Sequence, residues 1–357
     1  MARVLLAMSG GVDSSTAGYL LKESGHEVTG AFMSLLDGEI DSEGQRACCS
    51  AKDIEDARQA AAKLDFDFLV FNFRQTFFRE VIARFAKAYA QGLTPNPCLD
   101  CNRYLKFGRF RQRAKILGHE CVATGHYARI EYDRDRGRYL LKKALDPAKD
   151  QSYALYALAQ AELAQTFFPL GAIPKSEIRR LAASLGLSSA EKPDSQDICF
   201  VRSGHYTDFL AGLGISSPPG DIVDVSGRKL GRHQGLHRYT IGQRRGLGLC
   251  RPEPWYVVEL DPERNAVVVG GEKELRRERA LVKNVNFIAI DRLVAPLEVM
   301  AKIRYRQEEI PAEISPWPLG ALLTFKKPQK GVSPGQAAVF YQGDAVVGGG
   351  TIARDKI

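Results

Sequence analysis

Short apolar runs alternate with longer helical stretches in the first third of the chain. Residues 4–8, 28–33, 68–73 and 121–124 are compact apolar runs, which are typical of buried parallel strands. Residues 16–23, 53–64 and 75–91 carry apolar positions at helical spacing. Strands that alternate with helices of this length predict a doubly wound parallel sheet, with ligands bound outside the carboxyl ends of the strands.

The pattern changes after residue 199, where helical periodicity nearly vanishes and glycines and prolines separate short β-like runs. Residues 281–290, 299–305, 321–325, 337–341 and 345–352 are predicted strands of a small antiparallel barrel. The predicted fold class is therefore α/β, followed by a small β-rich central domain and a C-terminal antiparallel β-barrel. The predicted domain boundaries are 1–203, 204–277 and 278–357.

A polar loop, residues 9–15, joins the first predicted strand to the first helix and reads Ser-Gly-Gly-Val-Asp-Ser-Ser. Adjacent glycines allow successive backbone N–H groups to converge, and the helix turns its positive end toward the same point. The loop is thus predicted to bind an anion, and its carboxylate, Asp13, could hold a magnesium ion that bridges phosphates. Neither the Gly-x-x-x-x-Gly-Lys-Ser/Thr nor the Gly-x-Gly-x-x-Gly phosphate motif follows this strand, so a kinase or a dinucleotide dehydrogenase is disfavoured.

This heptad resembles the pyrophosphate loop of the ATP pyrophosphatases, which grip the β,γ-pyrophosphate of ATP and leave the α-phosphorus open to attack. The resemblance implies that ATP is spent on adenylation. Met33 and Gly125 follow predicted strands, and both are expected to contact the adenosine part of ATP. The residues implied in ATP binding are Ala7, Met8, Ser9, Gly10, Gly11, Val12, Asp13, Ser14, Met33 and Gly125.

Two further segments carry cysteines. Residues 94–103 contain two prolines and two asparagines, which predict a loop without regular structure that presents Cys98 and Cys101. Residues 194–199 read as a loop that enters a strand at Cys199. A Cys-x-x-Cys pair in a cytosolic protein suggests redox, metal or sulfur chemistry, whereas the absence of a second pair disfavours a closed zinc site.

Composition indicates the cellular compartment and the kind of binding partner. The 357 residues are 45% hydrophobic and 26% charged, and 50 Lys and Arg against 42 Asp and Glu give a net charge of +8, which suits a polyanionic partner. Seven cysteines, no apolar stretch near twenty residues and an N-terminus that enters a strand at once predict a cytoplasmic protein without a signal peptide or membrane contact. Cys48 and Cys49 receive no role.

Basic residues concentrate in the predicted central domain, which favours a surface for a phosphate backbone over a merely solvated basic face. They are Arg228, Lys229, Arg232, His233, His237, Arg238, Arg244 and Arg245, and they lie beside Tyr239. In the predicted barrel, Arg304-Tyr305-Arg306-Gln307 offers cations, a stacking ring and an amide, which suit an unpaired RNA loop.

Taken together, these motifs resemble the tRNA-specific 2-thiouridylases over essentially the whole chain. The segments that carry the resemblance are residues 9–15, 94–107, 123–129, 150–153, 192–200 and 235–248. The family activity would be ATP-dependent adenylation of the C2 oxygen of the wobble uridine in tRNA, followed by sulfur transfer that releases AMP and pyrophosphate. A sulfur-carrier protein or a cysteine desulfurase would supply the sulfur.

The resemblance also implies roles for single residues. Cys199 would carry the persulfide, and Cys101 would be the nucleophile or resolving thiol. The residues implied in tRNA contact are Asn96, Pro97 and Cys98 around the target base, and Lys149, Asp150, Gln151, Arg304 and Tyr305 elsewhere.

One position departs from the family pattern, because the most familiar thiouridylases have aspartate where this chain has Cys98. Cys98, Cys101 and Cys199 could then hold a 4Fe–4S cluster with one open iron, as an alternative to the persulfide.

Two other functions stay open on sequence alone. One is an adenylating ligase or synthetase acting on a small molecule, although no glutaminase-like segment is present, and the other is an RNA-binding protein with a vestigial ATP site.

Overall fold

The computed structural model describes residues 1–36, 51–192, 198–201, 206–249 and 254–354. The chain forms two compact units. The first comprises Met1–Val81, Cys98–Ser203 and Gly343–Val346, and the second comprises Ile82–Pro97, Gly204–Gln342 and Val347–Ile357. Cys48, Cys49 and residues 194–197 lie outside the described residues.

The first unit is built on a five-stranded parallel sheet in the order β3-β2-β1-β4-β7. Its strands are β1 Arg3–Met8, β2 Glu27–Ser34, β3 Asp67–Asn72, β4 Cys121–Thr124 and β7 Thr166–Phe167. Ala7 of the central strand pairs with Ala31 on one side and with Thr124 on the other. The carboxyl ends of β1, β2 and β4 therefore meet at one edge, as the apolar runs predicted.

Helices cover this sheet. They are α1 Val12–Glu23, α2 Ala51–Lys63, α3 Arg74–Phe77, α5 Pro97–Asp100, α6 Arg111–Ile116, α7 Ser152–Leu155, α8 Gln160–Leu163 and α9 Lys175–Ser184. Apolar residues of α1, α2 and α9 pack with β1, β2 and β4 in one core, which includes Leu6, Phe32, Ala61 and Ile178. The predicted helix at 75–91 is present as α3, the π-helix Phe78–Ile82 and α4 Ala83–Ala90.

The prediction of an irregular loop at residues 94–103 is wrong in its second half. Pro97 begins the single turn α5, and Cys101 begins a ten-residue π-helix, Cys101–Phe110. Proline is tolerated at the first helical position because the N–H that it lacks would have no partner there. Buried Leu105, Phe107 and Phe110 then anchor the π-helix in the core.

The prediction of a strand at Cys199 is also wrong within the described residues. Cys199 lies in a turn that is closed by a hydrogen bond from the Val201 amide to the Ile198 carbonyl, 3.0 Å long. The neighbouring Phe200 is buried, and its ring packs edge-on against Phe77 with the centroids 5.8 Å apart. This aromatic contact holds Cys199 in a turn instead of a strand ladder.

A hairpin that the sequence patterns did not predict completes the first unit. It consists of β5 Ala128–Asp133 and β6 Arg138–Lys143. Lys142 pairs with Ala345, and Arg129 donates to Asp344 at 2.8 Å. Residues 343–346 belong to this unit because of these contacts.

The second unit contains a four-stranded sheet in the order β10-β11-β8-β9. Its elements are α10 Tyr206–Gly212, β8 Gly220–Asp224, β9 Lys229–His233, the 3₁₀ helix Leu236–Arg238, β10 Tyr256–Asp261, β11 Ala266–Gly270 and α11 Glu272–Leu275. Ile222, Val257, Val267 and Val269 are fully buried and form its core.

The second unit also contains a closed barrel in which β12 pairs with both β15 and β17. Its strands are β12 Arg276–Phe287, β13 Leu297–Lys302, β14 Ile310–Trp317, β15 Gly320–Lys330, β16 Ala337–Gln342 and β17 Ala345–Ile352. The sequence patterns missed β14, which carries Pro311 and Pro316. The parallel sheet, the β-rich region and the antiparallel barrel confirm the predicted fold class.

Among the described helices, none has both the length and the apolar character that a membrane crossing requires.

Candidate active site

The loop between β1 and α1 forms an anion nest. Gly10 has a positive φ of 72°, and Gly11 is extended and gives α1 no side-chain cap. The amides of the first turn of α1 therefore have no intrahelical partner and point toward the carboxyl end of β1. Ser14 Oγ accepts from the Ser9 amide at 3.1 Å and donates to the Gly11 carbonyl at 3.2 Å, which stabilises the loop in this shape.

Two positions around the nest require glycine because backbone atoms of other segments lie too close for a Cβ. A Cβ on Gly10 would lie 2.4 Å from the carbonyl oxygen of Asp53 in α2. A Cβ on Gly125, just after β4, would lie 2.9 Å from the amide nitrogen of Ser14. The loop after β4 thus packs directly against the first turn of α1, at the position where Gly125 was predicted to contact the nucleotide.

Asp13 is held by two donors that the sequence patterns did not single out. Lys175 Nζ lies 2.5 Å from Asp13 Oδ1, and the Tyr127 hydroxyl donates to the same oxygen at 2.6 Å. The ammonium also lies 5.5 Å from the centroid of the Tyr127 ring. A lysine at the first position of a helix opposes the helix dipole, so Lys175 at the start of α9 could have been flagged from sequence.

A second lysine, Lys192, contacts the loop at Gly10. Its ammonium donates to the Gly10 carbonyl at 3.0 Å and lies 3.2 Å from Asp53 and 2.5 Å from Asp56. Burial disfavours its charged form, but the two carboxylates outweigh this effect and raise the pKa of Lys192. The loop is therefore flanked by two cations, each of which is paired with protein carboxylates.

The thiol of Cys101 lies at the start of the π-helix, about one turn from Lys106. Burial raises the pKa of Cys101, and the Lys106 ammonium opposes this shift. Lys106 Nζ lies 3.2 Å from Nε2 of buried His126, whose Nδ1 lies 2.6 Å from Thr124 Oγ1. Burial and then Lys106 lower the pKa of His126 well below its usual value, so the ring is neutral and Nε2 accepts from Lys106.

The end of β4 thereby joins the two halves of the candidate site. Gly125 packs on the anion nest, and the next residue, His126, holds the lysine of the cysteine-bearing helix. Cys98 is exposed, whereas Cys101 and Cys199 are half-buried. In the described part of the chain, these cysteines do not form a group of three ligands that could hold a metal ion.

The residues expected to contact tRNA have varied surroundings. Asp150 accepts hydrogen bonds from the Ala144 and Ser152 amides, and Gln151 accepts one from the Tyr127 amide, so both shape the loop behind Asp13. Lys149 and Asn96 are half-buried, and Pro97 is buried. Met33, at the end of β2, is half-buried.

In the second unit, four of the eight basic residues predicted to bind RNA are engaged or buried. Arg228 pairs with Asp224 and Lys229 with Asp221, while His233 and His237 are buried. Tyr239, expected beside the RNA, is also buried. The two paired residues are nevertheless exposed, and so are Arg232, Arg238, Arg244 and Arg245.

In the barrel, Tyr305 is exposed at its ring. Arg304 donates through Nη2 to the Gly331 carbonyl at 2.9 Å and lies 3.4 Å from the Ile241 carbonyl, so part of its guanidinium supports the protein's own backbone.

Family models cover most of the chain. The tRNA methyl transferase HUP domain matches residues 2–203, the tRNA methyl transferase PRC-barrel domain matches residues 207–271, and the aminomethyltransferase beta-barrel domain matches residues 277–352. Full-length relatives are also found. The tRNA-specific 2-thiouridylase MnmA of Moorella thermoacetica is 50% identical over 98% of both chains.

The chain belongs to the tRNA-specific 2-thiouridylase family. Two further 2-thiouridylases agree: that of Chloroflexus aurantiacus is 49% identical over 100% of both chains, and that of Roseiflexus sp. is 47% identical over 99% of this chain and 100% of the relative. Among solved structures, a 4-thiouridine synthetase–RNA complex with bound ATP has a TM-score of 0.38 and 14% identity, over 59% of this chain and 50% of that one. A similarity this low does not bear on function. Membership in the 2-thiouridylase family confirms the resemblance seen in the motifs.

Proposed function

We propose that this 2-thiouridylase family member is an ATP-dependent tRNA sulfurtransferase that converts the wobble uridine of tRNA to 2-thiouridine in the cytoplasm. The observation that carries the proposal is the connection through the end of β4. Gly125 packs against the anion nest, and His126 holds Lys106 on the helix that begins with Cys101. A nucleotide site and a thiol site joined in one unit suit activation followed by sulfur transfer.

Activation comes first because the C2 carbonyl oxygen of uridine is a poor leaving group. That oxygen would attack the α-phosphorus of ATP, a new O–P bond would form, and the bond to the β-phosphate would break to release pyrophosphate. The nest at the start of α1 would hold the β,γ-phosphates, with Met33 and Gly125 near the adenosine. The C2 oxygen would then leave as part of AMP.

Sulfur would enter from a persulfide on Cys199. The terminal sulfur would attack C2 and expel AMP, and the Cys101 thiolate would then attack the inner sulfur, forming a Cys101–Cys199 disulfide and leaving C2=S on the base. A sulfur-carrier protein or a cysteine desulfurase would reload the persulfide, after an external thiol had reduced the disulfide. Burial raises the pKa of Cys101, and Lys106 is the neighbouring cation that favours its thiolate.

Magnesium is proposed to accompany ATP. Asp13 is the loop's carboxylate and could serve as one protein ligand. A single carboxylate is sufficient because Mg²⁺ usually takes its other ligands from phosphates and water. When bound, the ion would neutralise phosphate charge. The protein's own contribution is to orient Asp13 through Lys175 and Tyr127.

Sulfur transfer explains the two cysteine segments better than the methyl transfer named in the family-model descriptions, since Cys101 begins a helix tied to the nucleotide loop.

The tRNA is proposed to contact Asn96, Pro97, Cys98, Lys149, Asp150, Gln151, Arg304 and Tyr305. The exposed arginines of the central sheet would add backbone contacts.

The test is thiolation of unmodified tRNA with ATP and a persulfide donor, followed by mass spectrometry of the nucleosides. One AMP and one pyrophosphate are expected for each 2-thiouridine. Cys199→Ser should still exchange pyrophosphate into ATP when tRNA is present but form no thionucleoside, whereas Cys121→Ser, at a cysteine outside the site, should behave as wild type. Pyrophosphate exchange into ATP by the wild type without tRNA would favour a small-molecule ligase. No pyrophosphate exchange under any condition would favour an RNA-binding protein with a vestigial ATP site. Loss of thiolation after chelator treatment, with recovery on iron addition, would favour the cluster.

A further inference from the structure

Lys175 is a buried cation whose only part in the proposed chemistry is to orient Asp13. Its side chain is 8% exposed, whereas that of its partner Asp13 is 32% exposed. A buried ammonium is costly unless it is paired, and the positive end of α9 makes this position worse for a cation. The ammonium is therefore more deeply buried than the carboxylate with which it pairs.

Lys175 and Tyr127 contact the same oxygen of Asp13. Lys175 Nζ lies 2.5 Å from Oδ1, and the Tyr127 hydroxyl lies 2.6 Å from it. Tyr127 is itself 3% exposed, and its position is fixed by reciprocal hydrogen bonds with Gln151 of 2.9 and 2.8 Å. The carboxylate is thus held at one oxygen by two buried donors.

This restraint matters because of where Asp13 stands in the chain. It lies in the first turn of α1, whose amides form the anion nest. A carboxylate in that turn is itself an anion, and the natural partners of an unrestrained one are the unpaired amides at the helix start. An Asp13 side chain that turned onto these amides would compete with phosphate for the nest and would repel it.

We propose that Lys175 is a positioning residue of the anion nest, which together with Tyr127 holds the Asp13 carboxylate away from the amides that bind phosphate. That the phosphate belongs to ATP rests on the proposed function. Lys175 acts through Asp13 and needs no contact with the nucleotide. The effect of Lys175 on phosphate binding should therefore disappear once the negative charge of Asp13 is removed. The effect of a lysine that binds phosphate directly would persist.

A double-mutant cycle tests this difference, with ATP affinity measured by calorimetry in EDTA so that no metal ion links Asp13 to the phosphates. Lys175→Met should raise the ATP Kd by at least ~tenfold. Asp13→Asn removes the negative charge and sets the reference Kd of the cycle, and the double variant should bind like Asp13→Asn alone. Lys22→Met, which removes an Asp65-paired lysine from the other end of α1, is the matched control and should bind like wild type.

Three results would overturn the inference. A lower melting temperature for Lys175→Met with an unchanged ATP Kd would make the pair purely structural. A double variant that binds as weakly as Lys175→Met would mean that the ammonium contacts phosphate itself. The third result is a loss of binding in Asp13→Asn alone as large as that in Lys175→Met. Failure of the wild type to bind ATP would instead refute the proposed function.

If Lys175→Met does not fold, Tyr127→Phe serves in the same cycle. It removes one donor to Oδ1 and keeps the buried ring, so circular dichroism should be unchanged. A smaller loss of ATP affinity, again suppressed by Asp13→Asn, is expected, and a loss that persists in the Asp13→Asn background would contradict the inference.

Discussion

Replacing Gly125 with alanine would test the contact between the loop after β4 and the anion nest. The added methyl carbon would lie 2.9 Å from the Ser14 amide nitrogen and 3.0 Å from the Asp13 carbonyl carbon. Ordinary nonbonded contacts begin near ~3.5 Å, so the two segments must separate by about 0.6 Å. Because Gly125 is not among the glycines with positive φ, alanine brings no backbone strain and the effect is steric.

The cost follows from the atoms involved, which are backbone and cannot rotate away. Overpacking of this kind costs ~1–3 kcal/mol, which corresponds to roughly 5–150-fold in ATP Kd if it falls on the bound state. The reason is that the free loop can shift outward, whereas the phosphate-bound loop must keep its amides convergent. Calorimetric ATP binding and tRNA-dependent pyrophosphate exchange would both report this loss.

The matched control is Gly212→Ala at the end of α10, where the new methyl group meets nothing within 4 Å. It should leave ATP affinity unchanged. An ATP Kd for Gly125→Ala within twofold of the wild type would refute the reasoning. Unchanged stability would then mean that the loop does not abut the nest, and lowered stability would mean that their packing does not control nucleotide binding.

Three other predictions address separate parts of the protein. Ser14→Ala should abolish thiolation but leave tRNA affinity in a filter assay nearly intact, because the nest belongs to the first unit and the basic residues belong to the second; equal loss of both would contradict this. Replacing exposed Arg244 and Arg245 with glutamate should flatten the dependence of log Kd for tRNA on log salt, whereas an unchanged slope would place the RNA surface elsewhere. Since burial raises the pKa of Cys101 and Lys106 opposes that rise, Lys106→Met should move the pH profile of Cys101 alkylation to higher pH in a Cys98→Ser background, and an unmoved profile would show that Lys106 does not act on this thiol.

Local sequence patterns were sufficient for much of the first unit. Continuous apolar runs predicted β1 to β4 because such runs are typical of parallel strands. The central strand β1 is buried at five of its six positions, whereas the edge strand β3 is only partly buried. The glycine pair followed by a helix predicted the anion nest, since its amides and dipole are properties of the chain segment itself. Short runs bounded by glycine and proline likewise predicted the barrel strands. The exception is β14, which itself contains two prolines and therefore lacks the pattern of a strand.

The cysteine segments could not be predicted in the same way. The prolines of residues 94–97 are genuine breakers, yet Leu105, Phe107 and Phe110 gain a buried site in the core and stabilise a π-helix from Cys101 onward. Likewise, Phe200 packs on Phe77, more than a hundred residues earlier, and this contact determines the turn at Cys199. Tertiary packing therefore outweighed local propensity at both thiols.

The sequence by itself determined which groups this protein carries: a phosphate loop, two cysteine segments and a family pattern that runs through the whole chain. Only the tertiary structure decided how they are connected. Lys175 lies 162 residues from Asp13, and Lys106 lies 20 residues from His126, so neither contact produces a periodic signal in the chain. Charged and polar side chains find such partners because burial makes an unpaired one costly, and that cost is felt only after the elements have packed.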